Sequence, residues 1–310
     1  MSLVNLRYLD ALARHRHFGR AAEACYVAQP TLSAGIRTLE REFDAPLVQR
    51  GQRVQGLTQE GERVLAWARR MLYEWDALRH EVQGVHERLH GRVRLGAVPT
   101  ALPVVAALTE VVCQRYPDVR VTVLSMTSNK ILEGLTNFTL DAGLTYLDNE
   151  PVPPLDVLTL YRERYVLLTP KEGVFGRRDR VGWAEAADLP LCLLSGDMQN
   201  RRLIDAAFAQ AGAAPTVKVE TNSLITLCAH VRPGGWSSIL PRALLDTIAT
   251  PRDAAAVPLV APERAPAVGL AAARTDPVSP LIAATWACAQ DLLPDPRTGV
   301  PGPPSRPAAD

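Results

Sequence analysis

The 310-residue chain has no run of about 18 apolar residues, so no transmembrane span is expected. Its N-terminus, MSLVNLRYLDALARHRHFGR, is charged within the first turns and has no apolar core followed by a small-residue cleavage site. It does not read as an export signal, which points to the cytoplasm. Only five cysteines occur, Cys25, Cys113, Cys192, Cys228 and Cys288, far apart and without a Cys-x-x-Cys pair. That excludes a disulfide framework and leaves buried, reduced thiols as the reading. Also missing are Gly-x-Gly-x-x-Gly, Gly-x-Ser-x-Gly and a phosphate-binding Gly-Lys-Ser/Thr loop, so nothing points to an enzyme or to a cofactor. His86 and His90 stand one helical turn apart on what reads as an exposed helix, where such a pair is surface composition, and no metal site is expected. A formal charge of +1 excludes a protein that is polybasic throughout.

The length allows two or three domains, each able to bury a core, and a composition of 47% apolar and 22% charged residues is ordinary for a globular protein. Residues 1 to about 57 read as short helices. Leu6, Leu9, Leu12 and Ala13 line one face of the first, FGRAAEAC is the second, and QPTLSAGIRTLE is the third. In the third, Leu32, Ile36 and Leu39 recur at four- and three-residue spacing and Phe43 continues the row, while Pro30, Thr31, Ala34, Arg37, Thr38 and Arg41 take the other side. The basic residues in this stretch are all arginines, Arg7, Arg14, Arg16, Arg20, Arg37, Arg41, Arg50 and Arg53, against Asp10, Glu23, Glu40, Glu42 and Asp44. A tight polar segment, RGQRVQGLT, follows with the length of a β-wing.

Thr58, with Gly61-Glu62, opens a long helix near a capping arrangement. Val64, Ala68, Met71, Trp75, Leu78, Val82, Val85 and Leu89 then alternate spacings of four and three, the period of a coiled-coil seam, and Gly91 is expected to end the helix. The alternative is a helix lying on its own domain. Pairing with a second chain is favoured, because no neighbouring sequence supplies another helix of that length. Beyond Arg92 strands and helices alternate. Strands are expected at RVRLGAV, VRVTVLSM, LDAGLTYL, RYVLLTP, LCLL, TVKVET, SSILP, VPLV and AVGLAAAR, and helices at 103–115, 129–138, 199–211, 223–231 and 279–291. This alternation implies α/β sheets with parallel strands, and connecting strands near 161–170 and 257–270 divide them into two lobes. The last seventeen residues hold six prolines and read as a disordered tail.

A short helix, the turn YVA and a second helix with a polar outer face make a helix-turn-helix. Pro30 fits because the first helical turn has no amide hydrogen bond to lose. Gln29 and the hydroxyls at the helix start can reach base edges, and Arg37 and Arg41 can meet phosphates or guanine edges. Arg50 and Arg53 on the wing can enter a narrow minor groove or hold phosphate. A paired coiled coil would set two such helices on one face of a duplex.

The stretch LRYLDALARHRHFGRAAEACYVAQPTLSAGIRTLEREFDAPLVQRG…LTQEGERVL resembles, densely over residues 3–65, the winged helix-turn-helix of LysR-type transcriptional regulators. The resemblance implies an α/β protein with an N-terminal winged helix-turn-helix over 1–58 and a linker and dimerisation helix over 59–91. A two-lobed effector domain like that of periplasmic binding proteins would follow over 92–293. Lobe I would be 92–163 with 267–293, lobe II 164–266, and 294–310 the tail. It further implies a cytoplasmic homotetramer, a dimer of dimers, that binds double-stranded promoter DNA, works on RNA polymerase and is modulated by a small-molecule effector between the lobes. Carried over by position, Gln29, Pro30, Thr31 and Ser33 fall on the base-contacting helix start, and Arg37 on a position that commonly contacts the duplex. Arg53 falls on the wing, and Thr58 on the phosphate-side start of the linker. Ala34-Gly35 departs from the long polar residues common there, and Gly35 should cost the helix about 1 kcal/mol relative to alanine.

HFGRAAEACYVAQPTLS is similar to the branch of the family that senses hydrogen peroxide. Such sensing needs a reactive thiol near position 199, but Gln199 stands there and no cysteine occurs between Cys192 and Cys228. An amide cannot run a sulfenate–disulfide cycle. A thiol-redox regulator of the same family is therefore the alternative, and a bound small molecule the main reading. Thr100 after the first strand of lobe I, Thr127 and Ser128 after the second, Ser195 after LCLL, and Asn222 before a helix all stand at strand-to-helix edges. Thr100 and Ser128 also fall on positions that line the family's cleft. Four helix starts facing one cleft would favour an anion, either a small carboxylate or an inorganic ion.

Overall fold

The structure is a computed structural model that describes residues 2–49, 56–84, 89–148, 155–231 and 235–293. The chain divides into two compact units, one formed mainly by residues up to 87 and the other by those from 88 onward.

The first unit is helical. α1 (Leu3–His15) starts at Ser2, whose hydroxyl accepts from the Val4 amide, and stops where Arg16 turns left-handed at φ 47° and donates its amide to Leu12 O. α2 (Phe18–Ala24) is capped by the His17 ring, whose Nδ1 accepts from the amides of Gly19 and Arg20 at 3.1 and 3.3 Å. α3 (Gln29–Glu42) has no side-chain cap, and Pro30 sits in its first turn. Leu6, Leu9, Leu12, Leu32, Ile36 and Leu39 meet in one core with Leu65, Ala68 and Leu72 of α4 (Gln59–Gly84). Phe43 leaves the apolar row that the spacing assigned to it: it caps the C-terminus of α3 and is 44% exposed. β1 (Val48–Gln49) and β2 (Gly56–Leu57) pair antiparallel as the base of a wing.

The second unit carries two lobes. Lobe I holds a five-stranded sheet in the order β4-β3-β5-β13-β6. Its members are β3 (Gly91–Ala97), β4 (Val119–Ser125), β5 (Ala142–Tyr146), β6 (Leu155–Arg162) and β13 (Ala267–Ala273). A 3-10 turn (Pro99–Ala101) leads into α5 (Leu102–Arg115), and α6 (Ser128–Thr136) joins β4 to β5. These helical crossovers make β3 parallel to both β4 and β5. Lobe II contains β7 (Tyr165–Pro170), β8 (Val181–Gly182), α7 (Trp183–Ala186), β9 (Leu191–Leu194), α8 (Gln199–Gln210), β10 (Val217–Thr221), α9 (Leu224–Val231), β11 (Ser238–Pro241), α10 (Arg242–Ile248) and β12 (Ala254–Val260); α11 (Pro280–Asp291) returns to lobe I. On β7, Tyr165 and Leu167 face one core while Val166 and Leu168 face another, so this sheet is buried on both sides.

The sheets are mixed, not parallel as the alternation implied. β13 runs antiparallel to β5 and β6, and β7 runs antiparallel to β11 and β12. The reason is the chain's path: β6 leaves lobe I, β13 re-enters it from lobe II, and neither is preceded by a crossover helix within its own sheet. The sequence pattern also gave no helix at α10.

The linker helix differs from its expected course as well. Gly84 is its last described residue, Val85 lies outside the described residues, and Leu89 is no longer helical but packs against the lobe I core. Gly91 does not end the helix. It opens β3 at φ 132°, a conformation that glycine takes without steric cost. The proline-rich tail, 294–310, lies outside the described residues.

Candidate nucleic-acid interface and effector cleft

Four buried positions of α3, Leu32, Gly35, Ile36 and Leu39, fix which side of the helix faces out. Gln29, Pro30, Thr31, Ala34, Arg37 and Arg41 are exposed, and Ser33 is half-buried at their edge. The arginines lie back along the helix. Arg37 Nη2 donates to Ser33 Oγ at 3.3 Å, and Arg41 Nη2 donates to Thr38 Oγ1 at 3.1 Å. One convex face therefore gathers an amide, hydroxyls and two guanidinium groups on a rigid helix, a set able to meet base edges and phosphates. Arg50 and Arg53 lie outside the described residues. Thr58 caps α4: its hydroxyl accepts from the Gly61 amide at 2.9 Å and donates to Pro46 O at 2.6 Å. Those two bonds occupy its one hydrogen and one lone pair, so the hydroxyl can only accept from a further partner.

On α4 the expected seam splits in two. Ala68 is buried and Val64 half-buried against the unit's own core. The exposed stripe is instead Trp67, Met71, Trp75, Leu78 and Val82, with Trp67 and Val82 each 62% exposed. Trp67 was absent from the expected seam, because an unbroken 4-3 period assigned its neighbour Ala68.

In the second unit the cleft residues fall into two groups. Thr100, in the 3-10 turn after β3, and Ser128, the first residue of α6, are both 1% exposed. Arg202 of α8 bridges the lobes: Nη2 donates to Ser128 Oγ at 3.4 Å, and Nη1 donates to Asp197 O at 2.8 Å. Thr127 Oγ1 accepts from the Lys130 amide and caps α6. By contrast, the Ser195 hydroxyl donates to Asp197 Oδ1 at 2.6 Å, and Asn222 is exposed while Ser223 caps α9. Ser128 is thus drawn to α8, whereas Ser195 bonds within its own turn and Asn222 lies exposed. A cavity of about 250 Å³ opens beside Tyr165, Leu203, Asp148 and Arg264; none of the five expected effector residues lines it.

The structure adds a polar cluster at the lobe boundary that the sequence reading missed. Glu163 stands on the two-residue crossing from β6 to β7 and is 1% exposed. The Tyr146 hydroxyl of β5 donates to Glu163 Oε2 at 2.5 Å and lies 2.9 Å from Thr100 Oγ1. From lobe II, Asn200 Nδ2 of α8 donates to the Tyr146 hydroxyl at 2.9 Å and to the Tyr165 hydroxyl at 3.4 Å. Burial pushes the Glu163 carboxyl up to about 7, against the opposing pull of hydrogen bonds from Tyr146, Tyr165, Thr100 and Asn200. Tyr146 and Tyr165 are held well above the usual phenol range, by burial first and by the Glu163 charge second. Glu163 Oε1, Asn200 Oδ1 and Gln199 Oε1 are buried without a hydrogen-bond partner among the described residues. The available signal was the YRERYV stretch, where Glu163 alternates with Arg162 and Arg164; both arginines are exposed, and the carboxyl faces in.

The thiols sit elsewhere. Burial pushes Cys192 and Cys228 up, which keeps them protonated, and both belong to one apolar core of lobe II.

Residues 86–294 match the family described as "LysR substrate binding domain", and residues 3–62 match "Bacterial regulatory helix-turn-helix protein, lysR family". A "probable hydrogen peroxide-inducible genes activator" of Streptomyces viridosporus is 32% identical over 242 residues, which is 77% of each chain. The "DNA-binding transcriptional dual regulator OxyR" of Escherichia coli K12 is 30% identical over 272 residues, 87% of this chain and 88% of that one. Among solved structures, a full-length OxyR variant from Pseudomonas aeruginosa superposes with a TM-score of 0.78 at 26% identity over 94% of both chains. Full-length CbnR complexed with its target DNA gives 0.66 at 19% identity over 94% of this chain and 99% of that one, a likeness of fold.

Proposed function

We propose, from the premise that this chain belongs to the LysR family of DNA-binding transcriptional regulators, that it reads promoter DNA with the outer face of α3 and answers to a small effector held between the lobes of its second unit. The observation that carries this reading is the α3 face itself: Gln29, Thr31, Ser33 and Arg37 stand over a wholly buried opposite side, so the face is rigid and has no partner within its own core. Arg50, Arg53 and Thr58 would hold the backbone beside it. The apolar stripe from Trp67 to Val82 pairs two chains, and two such pairs make the tetramer that spans a promoter.

An effector with different affinity for two lobe arrangements shifts their populations and, through the linker helices, the spacing and bend imposed on the DNA. RNA polymerase is then recruited or excluded, in the cytoplasm. A small carboxylate or inorganic anion fits the start of α8, which has no side-chain cap and carries Arg202 against Ser128; Thr100 and Thr127 stand on the opposite lobe, with Ser195 and Asn222 at the rim. Several relatives are named for hydrogen peroxide, but Gln199 and the protonated state of Cys192 and Cys228 support a bound effector over thiol chemistry here.

A mobility-shift assay with the DNA upstream of the protein's own gene tests the reading. Retardation should be lost when Ser33→Ala and Arg37→Ala are combined and kept with Thr100→Val. Full retardation of the double variant would overturn it.

A further inference from the structure

We propose that His17 is a DNA-backbone contact with two tasks on one ring: Nδ1 holds the start of α2, and the Nε2 hydrogen meets a phosphate oxygen at the wall of the groove that α3 reads. The proposal rests on the α3 reading above and adds a residue to it.

The partners of the ring place its hydrogen. The amides of Gly19 and Arg20 can only donate, and both reach Nδ1, at 3.1 and 3.3 Å. Nδ1 therefore offers its lone pair, and the hydrogen is on Nε2, across Cε1 and away from those amides. His17 is exposed, and among the described residues its Nε2 has no hydrogen-bond partner. The amides of Gly19 and Arg20 are spent on Nδ1, so this corner presents a side-chain donor and not a bare helix end. The donor is also held in place before DNA arrives. Two bonds fix the ring, and Phe18 beside it packs against the core of the unit. Little side-chain freedom is then lost on binding.

Gly19 sets this donor beside the reading helix. A Cβ on Gly19 would lie 3.2 Å from His17 Cε1, 3.3 Å from His17 Nδ1 and 3.7 Å from Gln29 Oε1. The imidazole and the first side chain of α3 thus stand on either side of a glycine, and a side chain at that position would crowd the ring. A major groove is about 12 Å wide and walled by phosphates, and the helix before a reading helix crosses the backbone. With Gln29 turned to base edges, a donor one side chain away at the start of α2 stands at that wall. Arg20, next along α2, folds back instead, its Nη2 donating to His15 O at 3.3 Å. A ring whose Nδ1 accepts carries no charge, so its bond to phosphate displaces no counterion. It fixes the register of the helix on the duplex.

The test is binding of the full chain to the duplex upstream of its own gene, measured across a range of salt. His17→Asn keeps a capping oxygen for α2 but is too short to reach the phosphate. It should bind about three- to tenfold more weakly than wild type at every salt concentration, and by the same factor on a shuffled duplex. Its salt slope should equal that of the wild type, whereas Arg37→Ala should flatten the slope by about one. Methylphosphonate substitution, one phosphate at a time, then separates a contact from a structural effect. One neutralised phosphate should weaken the wild type about as much as the substitution does and leave His17→Asn unaffected; a weakened α2 would show no such pairing. Wild-type affinity in His17→Asn, or the absence of any phosphate whose neutralisation it tolerates better than wild type, overturns the contact while the α3 reading stands. If the wild type itself binds no duplex, the α3 reading falls and the contact with it.

Discussion

Alanine in place of Gly35 should loosen the DNA-reading unit, although helix propensity alone says the opposite. In an unconstrained helix the change gains about 1 kcal/mol. Here α1 crosses α3 at this position, and a Cβ on residue 35 would lie 2.6 Å from Tyr8 Cδ2 and 2.8 Å from Asn5 Oδ1. Ordinary carbon contacts begin near 3.5 Å, so the ring must retreat by roughly 1 Å. Tyr8 is rigid, 8% exposed and packed in the unit's core. Overpacking of this kind costs about 1–3 kcal/mol, and with two groups displaced at once the upper part of that range applies. The net expectation is a loss of about 2 kcal/mol after the propensity gain. The assay is amide hydrogen exchange in the full chain, read at α1 and α3, because the two units need not unfold together. Protection there should fall while β5 and β7 stay unchanged. Adding Tyr8→Leu should rescue Gly35→Ala, since a flexible side chain can give way. Equal or greater protection in Gly35→Ala alone would refute the claim that close helix approach, not base reading, selects glycine at this position.

Three further outcomes are expected. Replacing Trp75 and Leu78 with glutamate should convert the chain to monomers in sedimentation, because each is about half exposed, burying the remainder contributes about 1 kcal/mol, and losing two weakens association at least tenfold before the added charges are counted; an unchanged mass would exclude this stripe as the pairing surface. Treatment with hydrogen peroxide should leave DNA mobility unchanged, and a shift abolished by Cys192→Ser or Cys228→Ser would reinstate thiol chemistry. Glu163 should tie folding stability to pH: its carboxyl is raised from 4.5 to about 7, so the folded state holds the proton more tightly than the unfolded one. The contribution of this carboxyl to stability is then fully present below pH 4.5 and is lost as pH climbs through 7, by about 3 kcal/mol. Urea denaturation should show this loss in the wild type relative to Glu163→Gln, and parallel pH profiles for the two proteins would contradict it.

How far the sequence could be read depended on how local the determining contacts are. The face of α3 was legible because Leu32, Ile36 and Leu39 pack on neighbours within one small unit, and their spacing alone fixes which side is buried. The α4 seam was half legible. Two surfaces compete for one helix: the unit's own core claims Val64 and Ala68, while Met71, Trp75, Leu78 and Val82 stay outward as expected and Trp67 joins them. Strand positions were mostly recovered from their apolar runs. Strand directions were not, because β13 lies beside β5 and β6 only after the chain has built all of lobe II, and no local residue records that return.

The cleft shows the same limit more sharply, and it changes the chemistry ascribed to it. Reading for hydroxyls at strand-to-helix edges found Thr100 and Ser128, both buried, together with Ser195, which bonds within its own turn, and Asn222, which is exposed. Such a reading cannot find Glu163: between two arginines a carboxylate has the composition of a solvated surface. It is buried because the crossing strand passes between the lobes, with Tyr146 and Thr100 from one side and Tyr165 and Asn200 from the other. A carboxyl so enclosed is pushed toward its protonated form, because its charge would be buried among neutral hydroxyl and amide groups that only partly replace water.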